Sequence, residues 1–335
     1  MASVRLHHTS DDQTGITRKL VGEEFAFFQV SGRRIKNPKL IARCLSLAIP
    51  PAYIDVWICP DARGHLQATA RDDRGRKQYF YHSAWITQRD ATKYDRLLPF
   101  ASALCLIRRQ IVHDLKLRGM PKTKVLAALV RLLDTTYIRI GNEEYAKENK
   151  SYGLTTMLRR HVKGRGLNMR LVFKGKSGVS HEIPIEDKRI RKLVASCQDL
   201  PGQELFTYLD DQAEAHSLRS DDVNAYIQLI TQTEITAKDF RTWHGTVLAA
   251  TALADSELGA TTASRKRSVA VAIKATAVAL GNTPAICRKC YIHPQVIALY
   301  LAGELKFPKS VRGLKRRYAG LYVDELKLLA LLEAW

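Results

Sequence analysis

The residues best suited to chemistry lie in the stretch GNTPAICRKCY, residues 281–291. Thr283 followed by Pro284 predicts a helix start, because threonine caps helices well and proline is favoured at the first helical position. The short helix carries Arg288 and Lys289 and ends at Tyr291. A phenol with a reference pKa of about 10 is mostly protonated at neutral pH, and positive neighbours favour its nucleophilic phenolate. The pattern predicts that Tyr291 attacks a phosphodiester.

An arginine among apolar neighbours is the second candidate. Arg139 lies in the segment YIRIG, and an unpaired guanidinium would be costly to bury there. A bound anion would explain this arginine. An internal salt bridge to Glu143 or Glu144 explains it about equally well, and the residues alone do not decide between the two.

Two further cations are placed by predicted local structure. Residues 168–173 and 179–185 alternate apolar and polar side chains around KGKSG, which predicts a β-hairpin with Lys176 at its tip. Most lysines at such tips only solvate a turn. Thr236 and Asp239 form a capping-box pattern that opens a helix, and Arg241 lies in the first turns of that rigid support.

The first 95 residues favour strands and turns. Residues 1–20 lack periodicity and predict a flexible tail. The strand-like segments DVWIC and HLQAT flank the turn PDARG, which predicts a hairpin. A second turn precedes a basic and aromatic strand that could contact phosphates, sugars or base edges. Its candidate DNA-binding residues are Arg76, Lys77, Gln78, Tyr79 and Tyr81. Taken alone, this segment is better explained as an ordinary amphipathic strand.

From residue 96 onward the pattern is mainly helical, interrupted by the hairpin around Lys176. The fold class is therefore α+β. We expect three segments: a flexible tail over residues 1–20, a small β-rich domain over residues 21–95, and a larger, mostly α-helical domain over residues 96–335.

Composition limits the partner. The 335 residues include 53 Lys and Arg against 33 Asp and Glu, a formal net charge of +20, which favours a polyanion such as nucleic acid. No apolar run is long enough for a transmembrane helix and no signal peptide is evident, so we expect a cytoplasmic, nucleoid-associated protein without a membrane partner. The GxxxxGK[ST] phosphate loop is missing, and no nucleotide cofactor is expected.

Six cysteines are sparse and lack the spacing of a disulfide framework. Cys287 and Cys290 form a CxxC beside Tyr291, but zinc usually needs four ligands and a second CxxC is missing. We therefore expect packing residues and no metal, with redox control of Tyr291 as a remote alternative.

Together these motifs resemble the type IB DNA topoisomerases, in particular the compact poxvirus-like and bacterial branch, from about residue 33 to residue 300. The hallmark residues of that family fall, in the family's order, on Arg139, Lys176, Arg241 and Tyr291. The resemblance implies a catalytic domain like that of tyrosine recombinases, and a monomer that clamps double-stranded DNA. It also makes Tyr79 and Tyr81, and further Tyr145 and Lys147, probable contacts with DNA.

One position departs from the poxvirus pattern. Those members carry a histidine where Asn282 stands here, and the family histidine donates a hydrogen bond to a non-bridging phosphate oxygen. An asparagine amide has a donor that could do the same without titrating. Asn282 is therefore included among the expected catalytic residues.

The implied activity is transient nicking of one DNA strand through a 3′-phosphotyrosyl intermediate. Strand rotation and resealing would then relax positive and negative supercoils without ATP or metal. A tyrosine site-specific recombinase shares this chemistry but typically carries His-x-x-Arg, where this chain has Lys238 and Arg241 three residues apart. A non-catalytic basic protein that binds duplex DNA would explain the charge alone.

Overall fold

The computed structural model describes residues 5–73 and 75–335, except for the side chains of residues 89–92, 145 and 177. The chain divides into two compact units, Met1–Tyr94 and Asp95–Trp335. A β-sheet dominates the first unit and helices dominate the second, so the fold is α+β, as the sequence predicts.

The N-terminal unit contains a five-stranded antiparallel sheet with the strand order β2-β1-β3-β4-β5. Its elements are β1 (Ile16–Val21), β2 (Glu24–Phe28), α1 (Pro38–Ser46), β3 (Ile54–Ile58), β4 (Leu66–Arg71), β5 (Lys77–Tyr81) and α2 (Ser83–Thr92). Phe27, Ile58 and Ala68 belong to its buried core. The predicted β3–β4 hairpin is confirmed, and β5 pairs with β4 after the second predicted turn.

The predicted flexible tail is wrong for much of residues 5–20. The backbone N–H of His7 donates to the carbonyl of Arg63 at 2.9 Å, and Ile16 begins strand β1. The hydrophobic pattern of β1 is weak because only Ile16 is buried. Backbone pairing stabilises the strand instead, and the guanidinium of Arg18 donates to three carbonyls, among them that of Tyr53 at 2.7 Å.

The C-terminal unit consists mainly of helices, the three longest of which contain 18 residues each. Its helices are α3 (Leu97–Asp114), α4 (Lys122–Thr136), α5 (Glu143–Asn149), α6 (Lys188–Gln198), α7 (Ser220–Thr231), α8 (Ala237–Ala254), α9 (Thr262–Ala279), α10 (Pro284–Cys290), α11 (Pro294–Ala302), α12 (Arg312–Arg317) and α13 (Val323–Leu332). Its strands are β6 (Val162–Lys163), β7 (Arg170–Lys174), β8 (Ser180–Pro184), β9 (Thr207–Leu209) and β10 (Ala215–Ser217).

Apolar side chains fix the orientation of α8, the helix that carries Arg241. Phe240 and Trp243 are fully buried, and the Phe240 ring packs edge-on against Phe100 of α3 at 5.0 Å between centroids. The predicted capping box is present, with the Asp239 carboxylate accepting from the backbone N–H of Thr236 at 2.8 Å. The capping hydrogen bond fixes the start of α8, and the packing of Phe240 and Trp243 fixes the residues on either side of Arg241. Arg241 therefore lies on a rigid support.

A buried charge network ties α8 to α3, α4 and α13. Arg108 donates two hydrogen bonds to Asp134, at 2.8 and 2.9 Å, and two to Glu325, at 2.7 and 2.9 Å. From α8, the indole N–H of Trp243 donates to Glu325 at 3.0 Å. Nε2 of His244 lies 3.0 Å from a carboxylate oxygen of Asp134. Burial alone raises the pKa of Asp134, but the hydrogen bonds from His244 and Arg108 and their charges hold it well below its ordinary value.

We predict that Arg108→Met destabilises the fold by about 3–5 kcal/mol, because it leaves two buried carboxylates without their main cation. Urea unfolding at pH 7 measures the loss. Arg109→Met is the matched control, since the neighbouring Arg109 is exposed, and it should change stability by less than about 0.5 kcal/mol. Equal stability of both variants would contradict a stabilising role for the network.

Acid should weaken the same network. The pKa of Asp134 is depressed in the folded state, so its contribution to stability is complete above its unfolded pKa of about 3.9 and is lost as the pH falls towards the folded value.

Among the described residues, no single helix is long and apolar enough to cross a membrane. The pair α9 and α10 passes that test only together, with a bend of 95° between them.

Candidate active site

Four of the predicted residues line one cavity of about 310 Å³ in the C-terminal unit. They are Arg139, Lys176, Arg241 and Tyr291. These residues come from the segment after α4, the β7–β8 turn, helix α8 and the end of α10. The fold therefore brings together three cations and one phenol that are far apart in sequence.

Arg241 is 4% exposed and is held by backbone carbonyls from two other segments. Its Nη1 donates to the carbonyl of Tyr137, and its Nη2 donates to that of Leu280 at 2.8 Å. Tyr137 caps α4 with a φ of 59°, a left-handed conformation that is uncommon outside glycine and clusters at functional sites. These contacts fix the plane of the guanidinium.

Arg139 is held by the turn that follows α9. Its Nη2 donates to the side-chain oxygen of Asn282 at 2.7 Å, and its Nη1 donates to the carbonyl of Gly281 at 3.3 Å. The alternative, a salt bridge from Arg139 to Glu143 or Glu144, is not found among the described residues. Glu143 instead pairs with Arg219, with 3.3 Å between its carboxylate oxygen and Nε of Arg219. The turn Leu280–Asn282 thus accepts hydrogen bonds from both arginines.

Two buried donors at this turn have no hydrogen-bond partner among the described residues. They are Nε of Arg241 and Nδ2 of Asn282. The bond from Arg139 fixes which side-chain atom of Asn282 is the oxygen, so Nδ2 is a donor. Buried unsatisfied donors are rare and each costs about 1–3 kcal/mol. Arg241 lines the cavity, whereas Asn282 lies behind Arg139 and is not among the lining residues.

Tyr291 ends α10, with its backbone N–H donating to the carbonyl of Cys287 at 2.9 Å. The Thr246 hydroxyl of α8 lies 3.2 Å from the Tyr291 carbonyl and accepts from the backbone N–H of His293 at 3.2 Å, which places the residue against the helix that carries Arg241. The guanidinium carbon of Arg241 lies 4.9 Å from the centre of the phenol ring.

The electrostatic surroundings of Tyr291 favour its ionised form. Burial alone raises the pKa of the phenol, but the charge of Arg241, a hydrogen bond from Arg241 and the charge of Arg139 lower it below its ordinary value. A group whose pKa is shifted towards neutrality by neighbouring charges is a good candidate nucleophile.

Lys176 lies in the turn between β7 and β8, and the predicted hairpin is confirmed. The turn is closed by the backbone N–H of Gly175, which donates to the carbonyl of Val179 at 2.8 Å. The lysine is exposed, yet it lines the same cavity as the half-buried Arg139 and the buried Arg241. An exposed lysine and two arginines held by hydrogen bonds therefore line the same cavity.

The candidate DNA-binding residues of β5 fall on two faces. Lys77, Tyr79 and Tyr81 alternate along the strand and share one face, where the two tyrosine rings stack at 6.3 Å and Tyr79 is 46% exposed. Gln78 lies on the other face and donates to the buried carboxylate of Asp72 at 2.9 Å. The face with the tyrosines is the better candidate for contacts with DNA.

Two of the expected cations already have carboxylate partners within the N-terminal unit. A guanidinium nitrogen of Arg76 lies 2.6 Å from a carboxylate oxygen of Asp72, and the ammonium nitrogen of Lys77 lies 2.7 Å from a carboxylate oxygen of Asp11. In the C-terminal unit Lys147 is exposed on α5, whereas the side chain of Tyr145 lies outside the described residues.

Several cavity residues carry no clear signal in the sequence. Asn142, Ser151, Tyr152 and Lys238 also line the cavity. Lys238 is the exception, because it precedes Arg241 by three residues and the sequence therefore predicts that both share one helix face. The other three residues lie in loops, where periodicity does not indicate where a side chain points.

Among the described residues, one group could bring metal ligands together: Asp210, Glu214 and His216 around the β9–β10 turn, with ligand atoms within 4.8 Å of one another. Asp210 already accepts from two backbone N–H groups of this turn and lies 2.7 Å from the His216 ring. These residues are not part of the cavity lining.

His244 and Cys287 belong to the packing of the site, whereas Cys290 is half-buried. His244 is buried in the Arg108 network, and Cys287 is fully buried. Burial raises the pKa of the Cys287 thiol to about 11, so it is protonated at neutral pH. Protonated buried thiols are poor nucleophiles and metal ligands.

Most of the chain is similar to known proteins. The family model for the catalytic core of eukaryotic DNA topoisomerase I matches residues 82–315, and the model for the N-terminal domain of bacterial DNA topoisomerase IB matches residues 24–72. DNA topoisomerase 1B of Acanthamoeba polyphaga mimivirus is 30% identical over 293 residues, covering 85% of this chain and 87% of the viral protein.

Poxvirus proteins match over a slightly shorter span. DNA topoisomerase I of monkeypox virus and DNA topoisomerase 1B of vaccinia virus (strain Copenhagen) are each 25% identical over 251 residues, covering 74% of this chain and 76% of theirs. The extent of these matches, together with a cavity that contains the predicted tyrosine and its three cations, shows that this chain belongs to the type IB DNA topoisomerases.

Proposed function

We propose that this topoisomerase nicks one strand of duplex DNA with Tyr291 as the nucleophile and reseals it after strand rotation. The product of the first step is a 3′-phosphotyrosyl enzyme and a free 5′-hydroxyl end. Positive and negative supercoils are relaxed without ATP or a metal ion. The observation that carries this proposal is the cavity in which Tyr291 faces two fixed arginines with unsatisfied buried donors nearby.

In the first step the phenol oxygen of Tyr291 forms a bond to phosphorus while the bond from phosphorus to the 5′ oxygen breaks. The lowered pKa of Tyr291 makes loss of the phenol proton easier at neutral pH. In resealing, the 5′-hydroxyl attacks the same phosphorus and the phenol leaves. The phosphodiester energy stays in the covalent bond between the steps, which explains why no ATP is needed.

The two arginines and Asn282 would stabilise the charge on the non-bridging oxygens. A guanidinium presents paired donors that match phosphate geometry, and donors already fixed in place need no reorganisation as charge develops. Nε of Arg241 and Nδ2 of Asn282 are such donors, since both are buried and unsatisfied. This arrangement supplies the positive charge that a metal ion supplies in other phosphoryl-transfer enzymes.

Lys176 would act as the general acid. An ammonium group can transfer a proton to the departing 5′ oxygen, whereas a guanidinium essentially cannot. Its place on an exposed turn at the cavity edge allows it to reach the leaving group while the arginines hold the phosphate.

Contacts with DNA outside the cavity would come from exposed and half-buried residues of both units. Lys77, Tyr79 and Tyr81 share one face of β5, and Lys147 is exposed on α5. Such contacts to phosphate and sugar position the duplex without reading its sequence. Together with the net charge of +20 they favour direct binding of double-stranded DNA, and we propose that a monomer binds it.

The decisive experiment is relaxation of negatively and positively supercoiled plasmid in EDTA without ATP, followed by an SDS quench. We expect relaxation of both plasmids and an SDS-stable protein–DNA adduct. Binding without any adduct would favour a non-catalytic duplex-binding protein instead. Exchange of strands between two specific sites, without general relaxation, would favour a tyrosine recombinase.

We predict that Lys176→Ala slows cleavage of an ordinary phosphodiester by roughly 10²–10⁴-fold, the usual contribution of a general acid. Replacing the 5′ oxygen by sulfur should restore the rate, because a thiolate leaves without protonation. Single-turnover cleavage of a labelled oligonucleotide duplex measures both rates. Lys174→Ala, an exposed lysine at the end of β7, serves as the control and should behave as wild type. Absence of recovery with sulfur would remove the general-acid assignment.

We predict that Asn282→Ala slows cleavage roughly 10²-fold, as expected for the loss of one preorganised donor. Asn282→His should keep most of the rate, because an imidazole N–H can replace the amide donor. Asn282→Asp is the sharper control, since it has nearly the same shape without the donor. The same cleavage assay applies, and an Asp variant as fast as the His variant would argue against donation by Nδ2.

A further inference from the structure

A histidine outside the predicted catalytic set lies between two parts of the site. His181 is in β8, directly opposite Phe173 of β7, and the two rings stack with centroids 5.0 Å apart and an interplanar angle of 16°. Its ring also borders a small cavity lined by Arg139 and Arg241. The side chain is therefore attached to the Lys176 hairpin but directed towards the phosphate-binding arginines.

The imidazole fits between two glycines. A Cβ on Gly281 would lie 2.1 Å from Cε1 of His181, and a Cβ on Gly175 would lie 2.6 Å from its Nε2. Real side chains do not approach this closely, so both positions must lack one while the ring is in place. Gly175 immediately precedes Lys176, and Gly281 immediately precedes Asn282. The ring thus contacts the backbone next to each of these two residues.

The ring is suited to this position because it is neutral. Burial and the positive charges of Arg139 and Arg241 lower the pKa of His181. A neutral ring adds no third charge beside the arginine pair, and it gives the hairpin a flat surface against the Leu280–Asn282 turn.

We propose that His181 is a positioning residue that holds the Lys176 hairpin against the Leu280–Asn282 turn, so that Lys176 reaches the leaving oxygen. This inference rests on the function proposed above. Lys176 itself is exposed, and its turn includes only the three residues Lys176–Gly178. The contact through Gly175 therefore acts on the backbone immediately before the general acid, whereas the arginines keep contacts that do not involve the ring, from Arg241 to the Tyr137 carbonyl and from Arg139 to the Asn282 side chain.

The test compares His181→Ala with wild type on duplexes that carry either oxygen or sulfur at the 5′ position of the cleaved bond. On the ordinary substrate we expect cleavage to be slower by about 10- to 100-fold, as for a catalytic group displaced by roughly 1 Å. With the sulfur leaving group the rate should return to within a few-fold of wild type. Affinity for DNA should not change.

Two further variants exclude a general loss of structure. The double variant Lys176→Ala/His181→Ala should be no slower than Lys176→Ala alone, because both changes remove the same proton transfer. Gly175→Ala should displace the ring and reproduce the sulfur-rescued defect, and its φ of −91° is open to alanine. His216→Ala, a histidine on another hairpin, should cleave both substrates as wild type does.

The outcomes separate the inference from the function on which it rests. If Lys176→Ala is rescued by sulfur but His181→Ala is equally slow on both substrates, or is not slow at all, the positioning role is overturned and the proposed function stands. If wild type forms no covalent adduct, or if sulfur does not rescue Lys176→Ala, the proposed chemistry fails and the inference fails with it.

Discussion

Replacement of Tyr291 by phenylalanine should abolish covalent capture of DNA and all relaxation of supercoiled plasmid. The change removes only the phenol oxygen, which is the atom that would attack phosphorus. Tyr152 is the other tyrosine among the described residues that line the cavity. Its hydroxyl accepts a hydrogen bond from Arg160 at 3.2 Å, so it is not an equivalent group held by Arg139 and Arg241. We therefore expect no residual adduct after SDS quenching.

The measurement pairs the relaxation assay with binding and unfolding. Tyr291→Phe should bind duplex DNA with nearly the affinity of wild type and should unfold at a similar urea concentration, so that the loss is chemical. Tyr300→Phe is the matched control. Its hydroxyl lies in α11, 2.9 Å from that of Ser256, and it should relax plasmid normally. Relaxation by Tyr291→Phe would reject the mechanism.

The second large effect is expected at Arg241. Arg241→Ala should lower the single-turnover cleavage rate by at least about 10²–10³-fold, the cost of removing one preorganised donor group from a charged transition state. Arg241→Lys should recover little, because an ammonium group cannot replace the paired donors that bond the Tyr137 and Leu280 carbonyls while Nε remains available. A lysine variant as fast as wild type would contradict this role.

The same variants should shift the pH dependence of cleavage. Arg241 lowers the pKa of Tyr291 by its charge and its hydrogen bond. Removing that charge in Arg241→Ala raises the pKa of the phenol, so the rising limb of the pH–rate profile should move to higher pH. Arg219→Ala, an exposed arginine paired with Glu143, should leave the profile unchanged.

Much of the site could be predicted because each residue depends on a local signal. Tyr291 follows a threonine–proline helix start, Lys176 lies in a turn between alternating strands, and Arg241 follows a capping box. These signals act over a few residues, and the structure forms each element as predicted. The division into a β-rich first unit and a helical second unit could be read from periodicity in the same way.

The remainder depends on contacts between distant segments. The bonds of Arg139 and Arg241 to the Leu280–Asn282 turn span 39 to 143 residues, and no periodicity encodes them. The place of His181 depends on two glycines on different elements. The error in the predicted tail has the same origin, because β1 is stabilised by its strand partners and has little hydrophobic pattern of its own.

The buried Arg108 network has a consequence for the order in which the protein is completed during synthesis. Glu325 lies 217 residues after Arg108, an interval that takes roughly 10–40 s to translate at ordinary rates. Before Glu325 is made, Asp134 is the one carboxylate of the network that Arg108 can bond. The indole N–H of Trp243 in α8 then also lacks its acceptor, Glu325. The helix that carries Arg241 is thus secured by a segment that is made well after it, which would delay assembly of the proposed site on the nascent chain.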